Sequence, residues 1–499
     1  MNIRTAANLM GATAGADAEL LDSEIKGFSI DSRSILAGEL FFALSQRDYE
    51  RAGFNGTFAD AHRYIPEVFE RGAVAAVARR DHAEGDALLE PYGPRLLLVD
   101  DAIAALQTLA RKVYEAWARP VVAITGSAGK TTTKDLVAHL LTCAGRHVLK
   151  SERNYNNGLG LPLSVLQMVT EGHSPDEYDV AVLEMGMSSP TNEIARLCKI
   201  TPPDIGVELL VAPVHLEYLG TMEAIAKAKA ELVEGLKPGG TAVLNADDER
   251  VAAMRSLHDG PTLTFGIENR ADVSADRIET GTLGQSRFLL RTPRGEAEAL
   301  LPLPGRHNLM NALAAAAVAT CFEIGAEEIA RSLGTVTSPH MRGEVLDFAA
   351  GFTVVDDSYN SNPRSLSQMV RTVAEAGGTR VRRRIVVAGE MLELGPEAAR
   401  MHAEAGREMA QAGVDGVWGV RGLAREIVSG AREAGVPEGA TRFFETAEEA
   451  AAALAKEVRE GDLVLVKGSR GVRTDKVVAL LRDRFPLVGG DERVGSGEG

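Results

Sequence analysis

Cysteine is scarce in this chain, with three residues in 499, Cys143, Cys198 and Cys321. The count is odd, the spacing wide, and no CxxC pair occurs. That excludes a disulfide frame and a cysteine zinc site, and it fits buried free thiols in a reducing compartment. Long apolar runs are also missing. The longest, Ala312 to Cys321, falls far short of the roughly 20 residues a membrane-spanning helix needs. The N-terminal stretch carries one early arginine and a weak apolar segment broken by Asp17 and Glu19, so no signal peptide is expected. Basic charge is in deficit: 54 Lys and Arg stand against 70 Asp and Glu, a formal net charge of −16. A chain that tracks a nucleic-acid backbone needs clustered Lys and Arg. The expectation is a cytoplasmic protein with no nucleic-acid or membrane partner; the charge balance does not exclude local basic pockets for phosphate. There is no internal repeat and little low complexity. Nothing reads as a dimer seam, so a monomer is expected.

What the chain does have is the mix of an ordinary globular protein, 45% hydrophobic and 25% charged residues, at a length that calls for two or three cores. Short apolar, β-branched runs alternate with Ala-, Glu- and Leu-rich stretches at helical spacing. This is the pattern of an α/β protein with largely parallel sheets. Three blocks separate. Residues 1–117 hold strand candidates at Gly27–Asp31, Leu40–Leu44, Ala73–Ala78 and Arg95–Val99, and end in a helix over Ile103–Trp117 that Arg119-Pro120 breaks. Residues 118–337 hold strands at Val121–Thr125, Val180–Glu184, Asp204–Leu210 and Gly240–Asn245, and a helix over Asn308–Ala319. Residues 338–485 hold strands at Phe352–Asp356, Arg384–Ala388, Gly416–Val420 and Leu463–Lys467. The tail, 486–499, is expected to be disordered.

The strongest local signal is the run VVAITGSAGKTTT from Val121 to Thr133. A strand enters a loop containing Gly126 and Gly129, then Lys130 and Thr131 open a helix. Glycines let backbone N–H groups approach phosphate oxygens, and the helix N-terminus adds partial positive charge. Lys130 neutralises the β- and γ-phosphates, and the Thr131 hydroxyl can hold Mg²⁺. Only two residues separate the glycines, where the usual loop has four. The coincidence of strand, loop, GKT and helix distinguishes it from a turn that contains Gly-Lys by chance.

Other candidates are weaker alone. Glu184 ends the strand candidate Val180–Glu184, at the carboxyl end where parallel sheets bind ligands; it reads equally as an Mg²⁺ ligand or as a solvated or capping carboxylate. His215 follows another strand, and a lone histidine is more often structural. Lys229 sits in the strong helix former AIAKAKAELV, where a lysine is ordinarily a solvated surface residue.

Taken together, the motifs TGSAGKTTTK, NYNNGLGLPLSVL (Asn154–Leu166), EMGMSSPTNEIARL (Glu184–Leu197), HLEYLGTMEAIAKAKAEL (His215–Leu232), LPGRHNLMNALAAAA (Leu303–Ala317), DDSYNSNP (Asp356–Pro363) and VLVKGSRG (Val464–Gly471) occur in an order that resembles the Mur ligase family. DSRSILAGELFFAL (Asp31–Leu44) fits as well, so the resemblance covers about residues 25–480. DDSYNSNP with EMGMSSP resembles the dipeptide-adding branch. The resemblance implies three domains: an N-terminal α/β domain for the UDP end of a nucleotide sugar, a central phosphate-loop domain for ATP, and a C-terminal Rossmann-like domain that closes over the site.

Residue by residue, it implies a nucleotide cradle of Thr125, Gly126, Ser127, Ala128, Gly129, Lys130, Thr131 and Thr132. Asn308 and Asn311 would lie near the adenine, with Arg342 and Asp357 as further nucleotide contacts. Thr131, Glu184, His215 and Lys229 would serve two Mg²⁺ ions, with Lys229 carbamylated. Lys130, Glu184, His215 and Lys229 become the catalytic set. Ser32 and Arg33 match the uridine region, Asn156 and Asn157 a substrate-binding stretch, and Tyr359, Asn360 and Asn362 the dipeptide region. The chain departs from the family pattern at Ala128, where Asn is usual, at ADAHRYI (Ala59–Ile65) in place of a DGHxF stretch, and at VELLVAPVHLE (Val207–Glu217).

The implied activity is an ATP-dependent, ADP-forming ligation of D-Ala-D-Ala to UDP-N-acetylmuramoyl-tripeptide through an acyl phosphate. A sister enzyme adding a single amino acid and a non-catalytic nucleotide-binding protein are the alternatives.

Overall fold

The computed structural model describes all residues except 16–17, 55, 153–154, 188–191, 213–220, 282–284, 339, 377–380 and 489–499. The expected α/β class is what the chain adopts. Two compact units are present, one from residues 1–211, 218–273 and 314–324, the other from 274–313 and from 325 onward.

The first unit begins with a five-stranded sheet. Its strands are β1 (Thr13–Ala14), β2 (Gly27–Ser29), β3 (Glu39–Phe42), β4 (Ala75–Arg79) and β5 (Leu96–Val99), in the order β1-β5-β4-β3-β2. All neighbours are parallel except β1 with β5. Phe41, Ala43, Ala76 and Ala78 pack beneath Ile65, Val68 and Phe69 from the helix over Ile65–Glu70. The helix over Ala102–Trp117 starts where Asp101 accepts the N–H of Ala104 and stops where Ala118 turns left-handed, at φ 50°. Arg119-Pro120 follows, and the chain enters the next sheet.

That sheet places the phosphate loop. β6 (Val121–Thr125), β7 (Val148–Lys150), β8 (Val180–Glu184), β9 (Ile205–Glu208), β10 (Thr241–Asn245) and β11 (Thr262–Gly266) run parallel in the order β11-β10-β9-β6-β8-β7. β6 and β8 are buried along their whole length, which explains why they read as continuous apolar runs rather than alternating ones. β6 is central. Ile124 pairs with Glu184 of β8, and Thr125 with Glu208 of β9, so both carboxylates emerge at the carboxyl ends beside the loop.

The second unit carries β12 (Val273–Thr280), β13 (Ser286–Thr292) and β14 (Gly295–Leu301); β13 pairs antiparallel with both others. Its larger sheet has β15 (Glu344–Asp347), β16 (Thr353–Asp357), β17 (Arg383–Gly389), β18 (Gly416–Val420), β19 (Thr441–Phe444) and β20 (Asp462–Lys467), in the order β15-β16-β20-β17-β18-β19. Only β15 is antiparallel to its neighbour. Both faces are covered. Val386, Ala388 and Leu465 face one helical layer, and Ile385, Val387 and Val466 the other, following the two-residue alternation of strand side chains. Leu487 bridges back to Phe348; the rest of the tail, from 489, lies outside the described residues. Among the described residues no helix is long and apolar enough to cross a membrane.

Candidate active site

The loop after β6 has the backbone shape its glycines predict. Gly126 has φ 149° and Gly129 φ 86°, and Gly129 leads directly into the helix over Lys130–Cys143. A Cβ on Gly126 would stand 2.8 Å from the Leu209 Cβ and 3.3 Å from the Leu210 nitrogen. The bare backbone therefore keeps the turn open. Ser127 donates its N–H to the Leu210 carbonyl at 2.9 Å, tying the loop to the strand beside it. The Lys130 ammonium curls back to the Gly126 carbonyl at 2.8 Å. Ala128, Gly129, Lys130, Thr131 and Thr132 are all partly exposed, so this is an accessible mouth, while Thr125 is buried beneath it.

Glu184 sits at the centre of the predicted metal group. Thr131 donates its hydroxyl to Glu184 Oε2 at 2.7 Å, and the Asn156 amide donates to Oε1 at 2.8 Å. The Glu184 N–H goes to Ser151 Oγ, and the Ser151 carbonyl accepts the buried Lys134 ammonium at 2.7 Å. The carboxylate is thus aimed by Thr131 and Asn156 and supported from behind by Ser151 and Lys134. A hydroxyl and a carboxylate oxygen side by side next to an open glycine turn are a hard-oxygen donor set, which suits Mg²⁺ bound with a nucleotide. On this geometry the residues present fit the ion.

Lys229 is not on the surface. The helix over Met222–Glu234 is capped by Thr221, and it turns Lys229 inward to 2% exposure while Lys227 stays exposed. Burial and the nearby Lys130 charge pull the Lys229 ammonium down to about 7, with Glu208 opposing. Glu208 is fully buried, neither of its oxygens meets a hydrogen-bond donor among the described residues, and burial pushes its carboxyl up against the pull of Lys229 and Lys130. A lysine held toward its neutral form is the nucleophilic form that a carbamate requires, so the site fits that modification. Glu208 was not among the expected site residues. The signal available was a charge inside an otherwise apolar strand.

Beyond β9, the Asn245 amide donates to the Leu209 carbonyl at 2.7 Å, and Asp248 accepts the Val211 N–H at 2.9 Å. The segment leading toward His215 is therefore clamped at its start. His215 itself lies outside the described residues.

In the first sheet, Arg33 forms a two-pronged ion pair with Asp31 at 2.9 and 2.8 Å, and its side chain is 86% exposed. Ser32 is half-buried beside it. Asn157, unlike Asn156, is used by the backbone: its Oδ1 accepts the N–H groups of Leu159 and Gly160.

The second unit groups a separate set. Asp357 Oδ2 accepts the buried Lys467 ammonium at 2.6 Å, and the same ammonium reaches the Asn360 carbonyl at 2.9 Å. The Arg342 guanidinium lies over the Tyr359 ring, 4.0 Å from its centroid. Asn362 caps the helix over Pro363–Glu375 in a reciprocal box with Ser365. Asn308 donates to the Pro304 carbonyl at 2.7 Å, and Asn311 to Asn308 at 3.3 Å, both near the start of the helix over Arg306–Cys321. His307 beside them has an enclosed Nδ1 with no partner among the described residues, and burial pushes the imidazole down to about 4. Lys467 and His307 were not singled out from the sequence, although both lie within motifs already noted, VLVKGSRG and LPGRHN.

Residues 124–319 match the Mur ligase middle domain, and residues 341–470 the Mur ligase glutamate ligase domain. The UDP-N-acetylmuramoyl-tripeptide–D-alanyl-D-alanine ligase of Bacillus subtilis (strain 168) is 30% identical over 477 residues, covering 95% of this chain and 97% of that one. The ligase of the same name from Mycobacterium leprae is 35% identical over 486 residues, covering 89% and 90%. Among solved structures, MurF from Acinetobacter baumannii superposes with a TM-score of 0.77 at 28% identity, over 92% of this chain and 94% of that one. MurF from Thermotoga maritima in complex with ADP gives a TM-score of 0.75 at 27% identity, over 94% and 98%. With both family domains matched in order and full-length relatives at this level of identity, the chain belongs to the Mur ligase family.

Proposed function

We propose that this chain is the ATP-dependent ligase that joins D-Ala-D-Ala to UDP-N-acetylmuramoyl-tripeptide, giving the UDP-muramoyl-pentapeptide precursor of peptidoglycan. The observation that carries the reading is the convergence of Thr131 and Asn156 on the two oxygens of Glu184 beside the open Gly126–Gly129 cradle. The full-length relatives named for this reaction support it.

A carboxylate is a poor electrophile toward an amine at neutral pH. ATP removes that obstacle. A carboxylate oxygen of the tripeptide attacks the γ-phosphorus, the bond to the β-phosphate oxygen breaks, and ADP leaves an acyl phosphate behind. The dipeptide amine then attacks the acyl carbon, and the tetrahedral intermediate collapses with loss of inorganic phosphate and of the amine's proton. Phosphoryl transfer of this kind asks the protein for positioning and charge neutralisation more than for covalent chemistry. Lys130 and the loop N–H groups hold the phosphates. Mg²⁺ at Thr131 and Glu184, and a second ion at His215 and carbamylated Lys229, would supply Lewis-acid neutralisation of the transferring oxygens.

Asn308, Asn311, Arg342 and Asp357 are assigned to the nucleotide, Ser32 and Arg33 to the uridine end, Asn156 and Asn157 to the sugar-peptide, and Tyr359, Asn360 and Asn362 to the dipeptide. Domains at 1–117, 118–337 and 338–485 would divide these tasks. The reading places the protein in the cytoplasm as a monomer, with soluble substrates.

The test is phosphate release from ATP with UDP-N-acetylmuramoyl-tripeptide, with and without D-Ala-D-Ala, and mass analysis of the product. Release that needs both, with a pentapeptide product, is expected. Release with a single amino acid in place of the dipeptide would reassign the chain to a sister activity, and ATP binding without any turnover would remove the ligase reading.

A further inference from the structure

The geometry points to a divalent transition-metal site in the C-terminal sheet, formed by His340, Glu344 and Asp356. Glu344 opens β15 and lies directly opposite Asp356 on β16. Opposed residues of an antiparallel pair share a face. One imidazole nitrogen of His340 and one carboxylate oxygen from each of the other two lie within 4.8 Å of one another.

The supporting contacts leave one oxygen of Asp356 available. Asp356 is 1% exposed. Its Oδ1 accepts the Ser358 N–H at 3.1 Å and the Ser358 hydroxyl at 2.6 Å, while its Oδ2 meets no donor among the described residues. A buried carboxylate oxygen without a partner is costly, and a second carboxylate alongside makes it more so. Glu344 is held at Oε1 by Arg482 at 2.7 Å, and its Oε2 faces His340 Nδ1 at 2.9 Å. The His340 side chain is 62% exposed, so it can swing in and solvent can complete the coordination. Metal bonds of about 2.0–2.2 Å require the three atoms to draw together to roughly 3 Å. Arg482 and Ser358 are the outer hydrogen bonds such ligands need to be aimed. The imidazole nitrogen favours Zn²⁺ over Mg²⁺ or Ca²⁺, which take oxygen ligands.

A second His and carboxylate group, Asp60, His62 and His82, has similar spacing but the wrong protonation. His62 Nε2 accepts the Arg79 N–H at 2.9 Å, so its Nδ1 carries the proton, which it donates to Asp60 Oδ1 at 2.6 Å. No lone pair remains for a metal. Neither nitrogen of His340 is taken by a backbone donor among the described residues. A bound ion would pin the segment carrying Arg342 against β16, which ends at Asp357, two residues before Tyr359.

The test titrates the full chain, nucleotide-free and in excess Mg²⁺, with Co²⁺ as an optical stand-in for Zn²⁺. One equivalent with d–d absorption, displaced by Zn²⁺, is expected, together with a Zn²⁺-dependent rise in melting temperature. His340→Ala, at an exposed position, should keep its fold and weaken binding by about a hundredfold. Asp356→Asn should also lose the band. A wild-type chain without the d–d band, or a His340→Ala variant that binds Co²⁺ as the wild type does, overturns the site.

Discussion

Thr131 and Glu184, 53 residues apart in sequence, meet at 2.7 Å, the hydroxyl at the start of one helix donating to the carboxylate at the end of a strand. The contact holds both oxygens where a nucleotide-bound cation would take them over. Replacing Glu184 with Gln keeps the shape and removes the charge. We expect kcat to fall by about a hundredfold or more and the Mg²⁺ requirement to rise, read from ADP release across an Mg²⁺ titration. An unchanged Mg²⁺ curve would remove Glu184 from the metal group.

Gly126→Ala tests the cradle. The added Cβ meets Leu209 at 2.8 Å, and φ 149° is a conformation that only glycine adopts freely. The strain is about 1–3 kcal/mol, and relieving it moves the loop. We expect a lower melting temperature and an increase of about tenfold in the KM for ATP. Unaltered ATP kinetics would mean that the loop does not bind phosphate.

Lys229→Ala removes the buried amine and with it any carbamate. Activity should fall about a hundredfold or more and recover in part when a small carboxylate such as formate is added. Full activity with no added carboxylate would eliminate the carbamate.

Asn362→Ala separates two roles. Loss of the capping box should cost about 1 kcal/mol, measured by denaturant unfolding. A rise in the KM for D-Ala-D-Ala beyond that of a comparably destabilised variant would assign the side chain to substrate as well; an unchanged KM would leave it as a cap alone.

Acid stability should be governed by buried histidines. Burial holds His62 and His402 below their usual range and His307 down to about 4. A group depressed in the folded state contributes stability that is complete above its unfolded value, near 6.5, and lost as pH falls through the folded value. The melting temperature should therefore drop between about pH 6.5 and pH 4. His402, fully buried with Nε2 accepting the Met391 N–H at 2.9 Å, is the cleanest probe. His402→Gln should start lower and fall less steeply; a parallel curve would show that this histidine does not contribute.

Several elements were legible because burial on both faces leaves a continuous apolar run, as in β6, β8, β17 and β20. The β12–β14 meander was not. Asp276, Arg277, Glu279, Arg287, Arg291, Glu296 and Glu298 break up its apolar alternation, and its register shifts between Asp276 and Glu279. In the site, the phosphate loop is local in sequence and so could be read directly. Lys229 could not: a lysine in a strong helix former is ordinarily solvated, and the resemblance, not the physics of its own segment, marked it out. Glu208 owes its surroundings to strand register, and Asp357 with Lys467 to a contact across 110 residues. Neither is visible in a local window.

Gly186 donates its N–H to the Asn156 carbonyl at 2.7 Å, and a Cβ there would come within 2.9 Å of the same asparagine's side chain, the one that holds Glu184. Inheritance is constrained accordingly. A lineage that replaced Gly186 would first have to shrink or redirect residue 156, and in doing so would release the carboxylate. Change at one position is therefore coupled to the other, through a chain in which the Glu184 carboxylate has lost a hydrogen bond.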